Sequence, residues 1–209
     1  GISTSKSFDN FLFNELTSSS KMVKAFLYDI FLLLLIYLTN KPSFSLSIEL
    51  NETYLVGGIN SLPFIDLDQY IERNEKSTIT SIFENRGEIY FRKKERLYLE
   101  HIFLNQSSFV ISLGGGTPCY FDNIDYINIK DETTSVFLKS SPKELANRLY
   151  DKKNNRPLIS HIQSKEQLEE YIAKHLFERL PYYEKAKKTI ITDNKSIKSL
   201  VEEINLFLT

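Results

Sequence analysis

The stretch FVISLGGGTP, Phe109–Pro118, decides the fold. A short apolar run passes directly into three consecutive glycines. An uninterrupted apolar run of this length, closed by glycine, reads as a strand buried on both faces, the kind found inside parallel sheets. Three glycines let backbone approach a ligand closely and leave unhindered N–H donors. On either side, short apolar runs alternate with helical patterns. Leu62–Leu67 precedes a short helix over Gln69–Glu75. Thr78–Asn85 is helical and is closed by Gly87 near a C-cap, and Glu88–Leu104 forms a long amphipathic helix. SVFLK, Ser135–Lys139, is a further strand. Ser141-Pro142 then opens a helix with Ser as cap and Pro in the first turn. Lys165–Lys188 is helical apart from Pro181, Thr189–Thr192 is a last strand and Ile197–Leu208 a last helix. Strands alternating with helices predict an α/β fold with a parallel sheet, whose ligands sit at the carboxyl ends of the strands.

Composition bounds the function classes. The 209 residues suit one domain, or one domain with an N-terminal extension. Residues 1–22 read as an extension or cloning remnant, with Met22 as a candidate start, and 23–209 as a single domain whose residues 23–61 are atypical. Lys and Arg number 26 against 27 Asp and Glu, so no basic stripe favours nucleic acid. The single cysteine, Cys119, cannot form an internal disulfide and suits a reducing cytoplasm. Ala25–Leu38, AFLYDIFLLLLIYL, is apolar except for Asp29. As a helix it would reach about 21 Å, short of the ~30 Å hydrocarbon core, and no small-residue cleavage site follows it. Phe31–Leu38 therefore reads as a central buried strand, and no membrane is expected. Ile111, Leu113, Val136, Phe137 and Leu138 are expected in the core.

Five motifs carry chemistry. In PFIDLD, Pro63–Asp68, two carboxylates stand at a strand end. One can accept a proton from a substrate hydroxyl and the other can approach a metal through water, or either can simply cap the next helix. In GEIYFRKKE, Gly87–Glu95, Arg92 and Glu95 share a helical face, and a guanidinium held by its own carboxylate can grip a substrate carboxylate bidentately, or form only a solvated pair. SLGGGTP supplies the glycine turn. In NNRPLI, Asn154–Ile159, an arginine in a polar loop can cover a phosphate. In ERLPYYEKA, Glu178–Ala186, Arg179 stands near the helix break at Pro181.

In this order and spacing, from Leu62 to the C-terminus, the five motifs resemble those of shikimate kinase. That family implies a five-stranded parallel sheet flanked by helices, of the P-loop, nucleoside-monophosphate-kinase-like architecture. It also implies transfer of the ATP γ-phosphoryl to the 3-hydroxyl of shikimate, in the chorismate route to aromatic amino acids. By resemblance, Asp68 is the catalytic aspartate at that hydroxyl and Asp66 its neighbour near Mg2+. Arg92 and Arg179 clamp the shikimate carboxylate, and Gly114, Gly115 and Gly116 line the substrate. Arg156 is the lid arginine that meets ATP, and Lys195, in Asp193-Asn194-Lys195, stands on the adenine side. The expected ligands are shikimate, ATP and Mg2+, in a cytoplasmic monomer without nucleic acid.

The family's GxxxxGK[ST] loop has no counterpart. Counting back from Asp66 by the family's spacing lands near Glu49, in SFSLSIEL (Ser43–Leu50), which holds neither glycine nor lysine. In Asn40-Lys41-Pro42-Ser43 the proline removes an N–H that a phosphate cradle would use. Three readings stay open: an altered reading frame upstream of about Leu62, a relative that binds shikimate without turnover, or an unusual loop using Lys41. A related kinase of another small anion, such as gluconate, and a protein tethered to a membrane through residues 23–39 are further alternatives.

Overall fold

The computed structural model describes residues 63–151, 159 and 161–208, together with the backbone of three earlier strands. These are β1 (Leu32–Tyr37), β2 (Leu46–Asn51) and β3 (Tyr54–Ile59). The order continues with β4 (Phe64–Asp66), α1 (Leu67–Glu75), α2 (Ile79–Asn105), β5 (Phe109–Leu113), α3 (Asn123–Asn128) and β6 (Thr133–Lys139). It closes with α4 (Pro142–Tyr150), α5 (Lys165–Tyr183), β7 (Lys188–Ile191) and α6 (Ile197–Leu208). Lys41 and Arg156, with the rest of residues 152–158, lie outside the described residues.

The sheet runs β4-β5-β1-β6-β7, with β2 and β3 forming a separate two-stranded pair. β4 pairs parallel with β5, and β6 with β7. β1 is central, as its apolar sequence predicts, but it runs antiparallel to both β5 and β6. The expected all-parallel sheet is therefore corrected to a mixed one, in which four strands point one way and β1 the other. The reason lies in the connection. A parallel neighbour needs a crossover, usually a helix. Between Tyr37 and Phe64 the described elements are the strands β2 and β3. LLLLIY can fill a slot between two strands in either direction, because an evenly apolar run has no preferred sense.

Local signals elsewhere act as read. Thr78 caps α2 through Ser81 N, Ser141 caps α4 through Glu144 N, and Ser164 caps α5 through Gln167 N. Gly87 adopts φ 77° and ψ 170° and breaks α2 into two helical segments. Its positive φ is open to glycine and strained for a side chain. Lys165–Lys188 is helical only to Tyr183, and α3 is an element the sequence pattern did not reveal. Phe91, Phe109, Ile111, Phe137 and Leu67 are fully buried, each worth roughly 1.5–3 kcal/mol of transfer free energy. Leu138 is only half-buried, near the end of β6, where the core thins. Among the described residues no helix is long and apolar enough to cross a membrane.

α1 is tied to α2 by one buried carboxylate. Glu75 accepts from the hydroxyls of Tyr90 and Tyr98, each at 2.6 Å, and pairs with Lys94 Nζ at 2.8 Å. Burial pushes its pKa up, but Lys94 and the two tyrosines outweigh burial and hold it at about 2. A depressed carboxylate stabilises the fold above its unfolded pKa, and the contribution fades as pH falls toward the folded value. Denaturation of the parent and of Glu75→Gln should therefore show a stability gap that is constant above about pH 4.5 and closes between there and about pH 2. A gap independent of pH across that window would remove the ionic role.

Candidate active site

The parallel strands deliver their carboxyl ends to one edge. β4 ends at Asp66, beside Ser112 of β5, and β5 ends at Leu113 before the glycines. β6 and β7 end side by side at Lys139 and Ile191. Because β1 is reversed, Leu33 near its N-terminus lies beside Leu113, and its C-terminal Tyr37 lies beside Phe109 at the far edge.

The two aspartates divide their work. Asp66 is the N-cap of α1, and its Oδ1 accepts from Gln69 N at 2.9 Å. The capping alternative is thus realised at Asp66. Asp68 lies in the first turn, where negative charge is favoured by the helix dipole, and is only 3% exposed. It is pressed against the glycine turn: a Cβ added to Gly114 would come 3.3 Å from Asp68 Oδ1.

Arg92 is held on several sides. Its Nη1 donates to Glu95 Oε2 at 3.0 Å and Oε1 at 3.2 Å, and its Nε to Glu88 Oε1 at 3.3 Å. Glu95 is itself fixed by Thr117 Oγ1 at 2.6 Å, from just after the glycines. Burial works against the charge of Arg92, but Glu95, Tyr120 and Glu88 outweigh it and raise its pKa, so the guanidinium stays charged. Glu95 and Glu88 take Nη1 and Nε, and among the described residues Nη2 is the guanidinium nitrogen without a hydrogen bond.

Arg179 comes from α5. Burial opposes its charge, Tyr183 and Cys119 raise its pKa, and the like charge of Arg92 lowers it, for a net rise. Its Nη1 is buried without a hydrogen-bond partner among the described residues. An unsatisfied buried donor costs roughly 1–3 kcal/mol. Two cationic groups that repel each other, each with a donor unpaired among the described residues, favour an anion between them.

Tyr183, one turn beyond Arg179, is buried, and its hydroxyl donates to Gly115 O at 2.5 Å. It ties the arginine helix to the glycine turn, and burial raises its pKa. The sequence signal was there, because Tyr183 stands four residues after Arg179 in the motif. His175, four residues before Arg179, is lowered to about 4 by burial and then by the Arg179 charge, so it adds no positive charge near neutral pH. The structure brings Arg92, Gly115, Gly116, Arg179 and Asp68 around one turn. Lys195 lies apart from that group, paired with Glu203 of α6, and Asp193 accepts from Ser140 Oγ and Ser141 N. Among the described residues no group of three or more His, Cys, Asp or Glu is placed to hold a metal.

A profile of the shikimate kinase family matches residues 56–209. The chain belongs to that family. A shikimate kinase of Flavobacterium psychrophilum is 44% identical over 148 residues, which cover 71% of this chain and 85% of the relative. One of Flavobacterium johnsoniae is 42% identical over 146 residues, 70% and 84% of the two chains. Among solved structures, shikimate kinase from Bacteroides thetaiotaomicron superposes with a TM-score of 0.59 at 32% identity, covering 70% of this chain and 83% of that one. Shikimate kinase from Acinetobacter baumannii in complex with shikimate gives 0.56 at 30% identity, covering 70% and 78%. These neighbours place this shikimate kinase relative in the α/β P-loop kinase fold.

Gly116 sets the space for the Arg92 guanidinium. A Cβ there would lie 2.5 Å from Arg92 Nη2 and 2.8 Å from its Cζ. The guanidinium is pinned by Glu95 and Glu88, so it has little room to yield. Overpacking of this kind costs about 1–3 kcal/mol. Gly116→Ala should weaken shikimate binding about 5–150-fold by calorimetry. Parental affinity in that variant would show that Arg92 need not stand where it does.

Proposed function

We propose that this protein phosphorylates the 3-hydroxyl of shikimate, with ATP as donor and Mg2+ as its companion, on the chorismate route to aromatic amino acids. The observation that carries this reading is the pair of buried guanidiniums, Arg92 and Arg179, each with a nitrogen that has no hydrogen bond among the described residues, with Arg92 against Gly116 and Asp68 against Gly114 of the same turn. A small carboxylate with a hydroxyl is the ligand such a constellation suits. Each carboxylate oxygen meets a different arginine, and the fixed anion places its hydroxyl toward Asp68. Asp68 accepts the hydroxyl proton as the oxygen attacks phosphorus. Phosphoryl transfer asks chiefly for positioning and charge neutralisation, and the described residues supply both on the acceptor side.

Mg2+ is commonly held by one or two carboxylates plus substrate phosphates, which suits Asp66 without a larger ligand cluster. When bound, it neutralises charge on the transferring phosphates. The donor side is different. No two glycines anywhere in the chain have the GxxxxG spacing, and the reversed β1 puts its carboxyl end at the edge opposite the glycine turn. The described residues therefore form no strand–loop–helix phosphate cradle, and the chemistry derived from them is the acceptor's. Arg156 is proposed to cover the nucleotide, Lys195 to approach the adenine, and the protein to work as a cytoplasmic monomer.

A coupled assay with ATP, Mg2+ and shikimate tests the proposal, alongside shikimate calorimetry without nucleotide. Turnover together with saturable binding is expected. Binding without turnover would leave only the acceptor site standing, and absence of both would overturn the reading.

A further inference from the structure

Tyr120 follows the turn of 3-10 helix, Thr117–Cys119, that leads out of the triple glycine. Its hydroxyl donates to Glu88 Oε1 at 2.9 Å, the same oxygen that accepts Arg92 Nε at 3.3 Å. Its ring centroid lies 4.2 Å from Arg92 Cζ, close enough for cation–π attraction, whereas the Phe91 ring lies at 5.0 Å. One side chain thus touches the guanidinium face directly and braces a carboxylate on its edge. Glu88 needs that brace: it follows the break at Gly87, where α2 restarts, so the preceding turn gives it little support. Glu95 fixes Nη1 but leaves the guanidinium free to swing about that contact. Stopping the swing requires a second anchor at Nε and a surface against the plane, and Tyr120 provides one and supports the other.

We infer that Tyr120 is a positioning residue for the substrate site: with Glu88 it locks the Arg92 guanidinium so that Nη2 faces the ligand carboxylate. The inference rests on the functional reading above for the identity of that carboxylate. Tyr120 itself transfers no proton and is not placed against the reacting hydroxyl. Its effect belongs in shikimate affinity and KM, and kcat at saturating shikimate is unchanged.

The test uses the full chain, with calorimetry against shikimate and against its methyl ester, which lacks the negative charge. Tyr120→Phe keeps the ring and loses the brace, so shikimate affinity should fall about 3–10-fold. Tyr120→Leu loses both, for a fall of about 10–50-fold. Ester affinity should not change in either variant. In an Arg92→Lys background, where the planar fork is gone, both Tyr120 changes should lose their effect. A merely structural role would lower acid and ester binding together and would persist beside Arg92→Lys; either result overturns the inference. If the unaltered chain binds no shikimate, the functional reading and this inference fall together. If the unaltered chain binds and Tyr120→Phe binds equally well, this inference falls alone.

Discussion

Arg92→Ala is expected to abolish measurable shikimate binding and to lower stability in the same stroke. The two losses have separate causes. Arg92 is 4% exposed, and its chief partner Glu95 is 1% exposed. Removing one member of a buried pair leaves an uncompensated charge, at a cost of about 3–5 kcal/mol. Thr117, which also donates to Glu95, cannot offset that alone. The binding loss comes from Nη2, the nitrogen without a partner among the described residues. Truncating a buried charged contact costs about 2–5 kcal/mol, so affinity should fall about 30-fold to several-thousand-fold. Arg92→Lys separates the effects. It keeps a charge for Glu95 and recovers most of the thermal stability, but one ammonium cannot serve Glu95, Glu88 and a ligand together. Shikimate affinity should therefore stay at least about tenfold below the parent in Arg92→Lys. A stable Arg92→Lys variant with parental affinity would show that charge alone suffices and that the geometry of the fork is irrelevant.

What the sequence made legible follows from how local each signal is. FVISLGGG announces a buried strand and its ligand-facing turn because every residue in it acts on its own backbone. The caps at Thr78, Ser141 and Ser164 are legible for the same reason. Arg92 and Glu95 are readable as a pair because helical spacing alone brings them together. Tyr183 shares a motif with Arg179, but its contact with Gly115 and that of Tyr120 with Glu88 span 68 and 32 residues, too far apart for local spacing to show. The direction of β1 was hidden for a further reason. Its six residues are apolar throughout, so they state burial without stating sense, and sense depends on a connection that carries no helix signal. The role of Asp66 is open in the sequence because a cap and a metal neighbour ask for the same side chain at the same strand end, and the bond to Gln69 N shows the cap without excluding the other. Glu88, one turn before Arg92, is a second carboxylate partner that the spacing of Arg92 and Glu95 does not announce.

Asp68→Asn should lower kcat by about 10²–10⁴-fold, the usual contribution of a positioned general base, while shikimate affinity stays within a few-fold of the parent. The substitution keeps the shape of a side chain that is nearly sealed and pressed against Gly114, so the turn has no reason to move. It removes the negative charge and the proton-accepting oxygen. The carboxylate of shikimate is addressed by the arginines, so its binding should hardly register the change. A loss confined to the transition state lowers kcat and kcat/KM together. Asp66→Asn is the companion measurement. Asparagine is as good an N-cap as aspartate, so α1 should keep its start and its stability. Any fall in turnover at Asp66→Asn then reports the carboxylate's charge, as a metal neighbour requires, and should ease as Mg2+ is raised. If Asp68→Asn turns over within about threefold of the parent, Asp68 is not the base, and acceptor activation rests on the arginine clamp and the glycine turn alone.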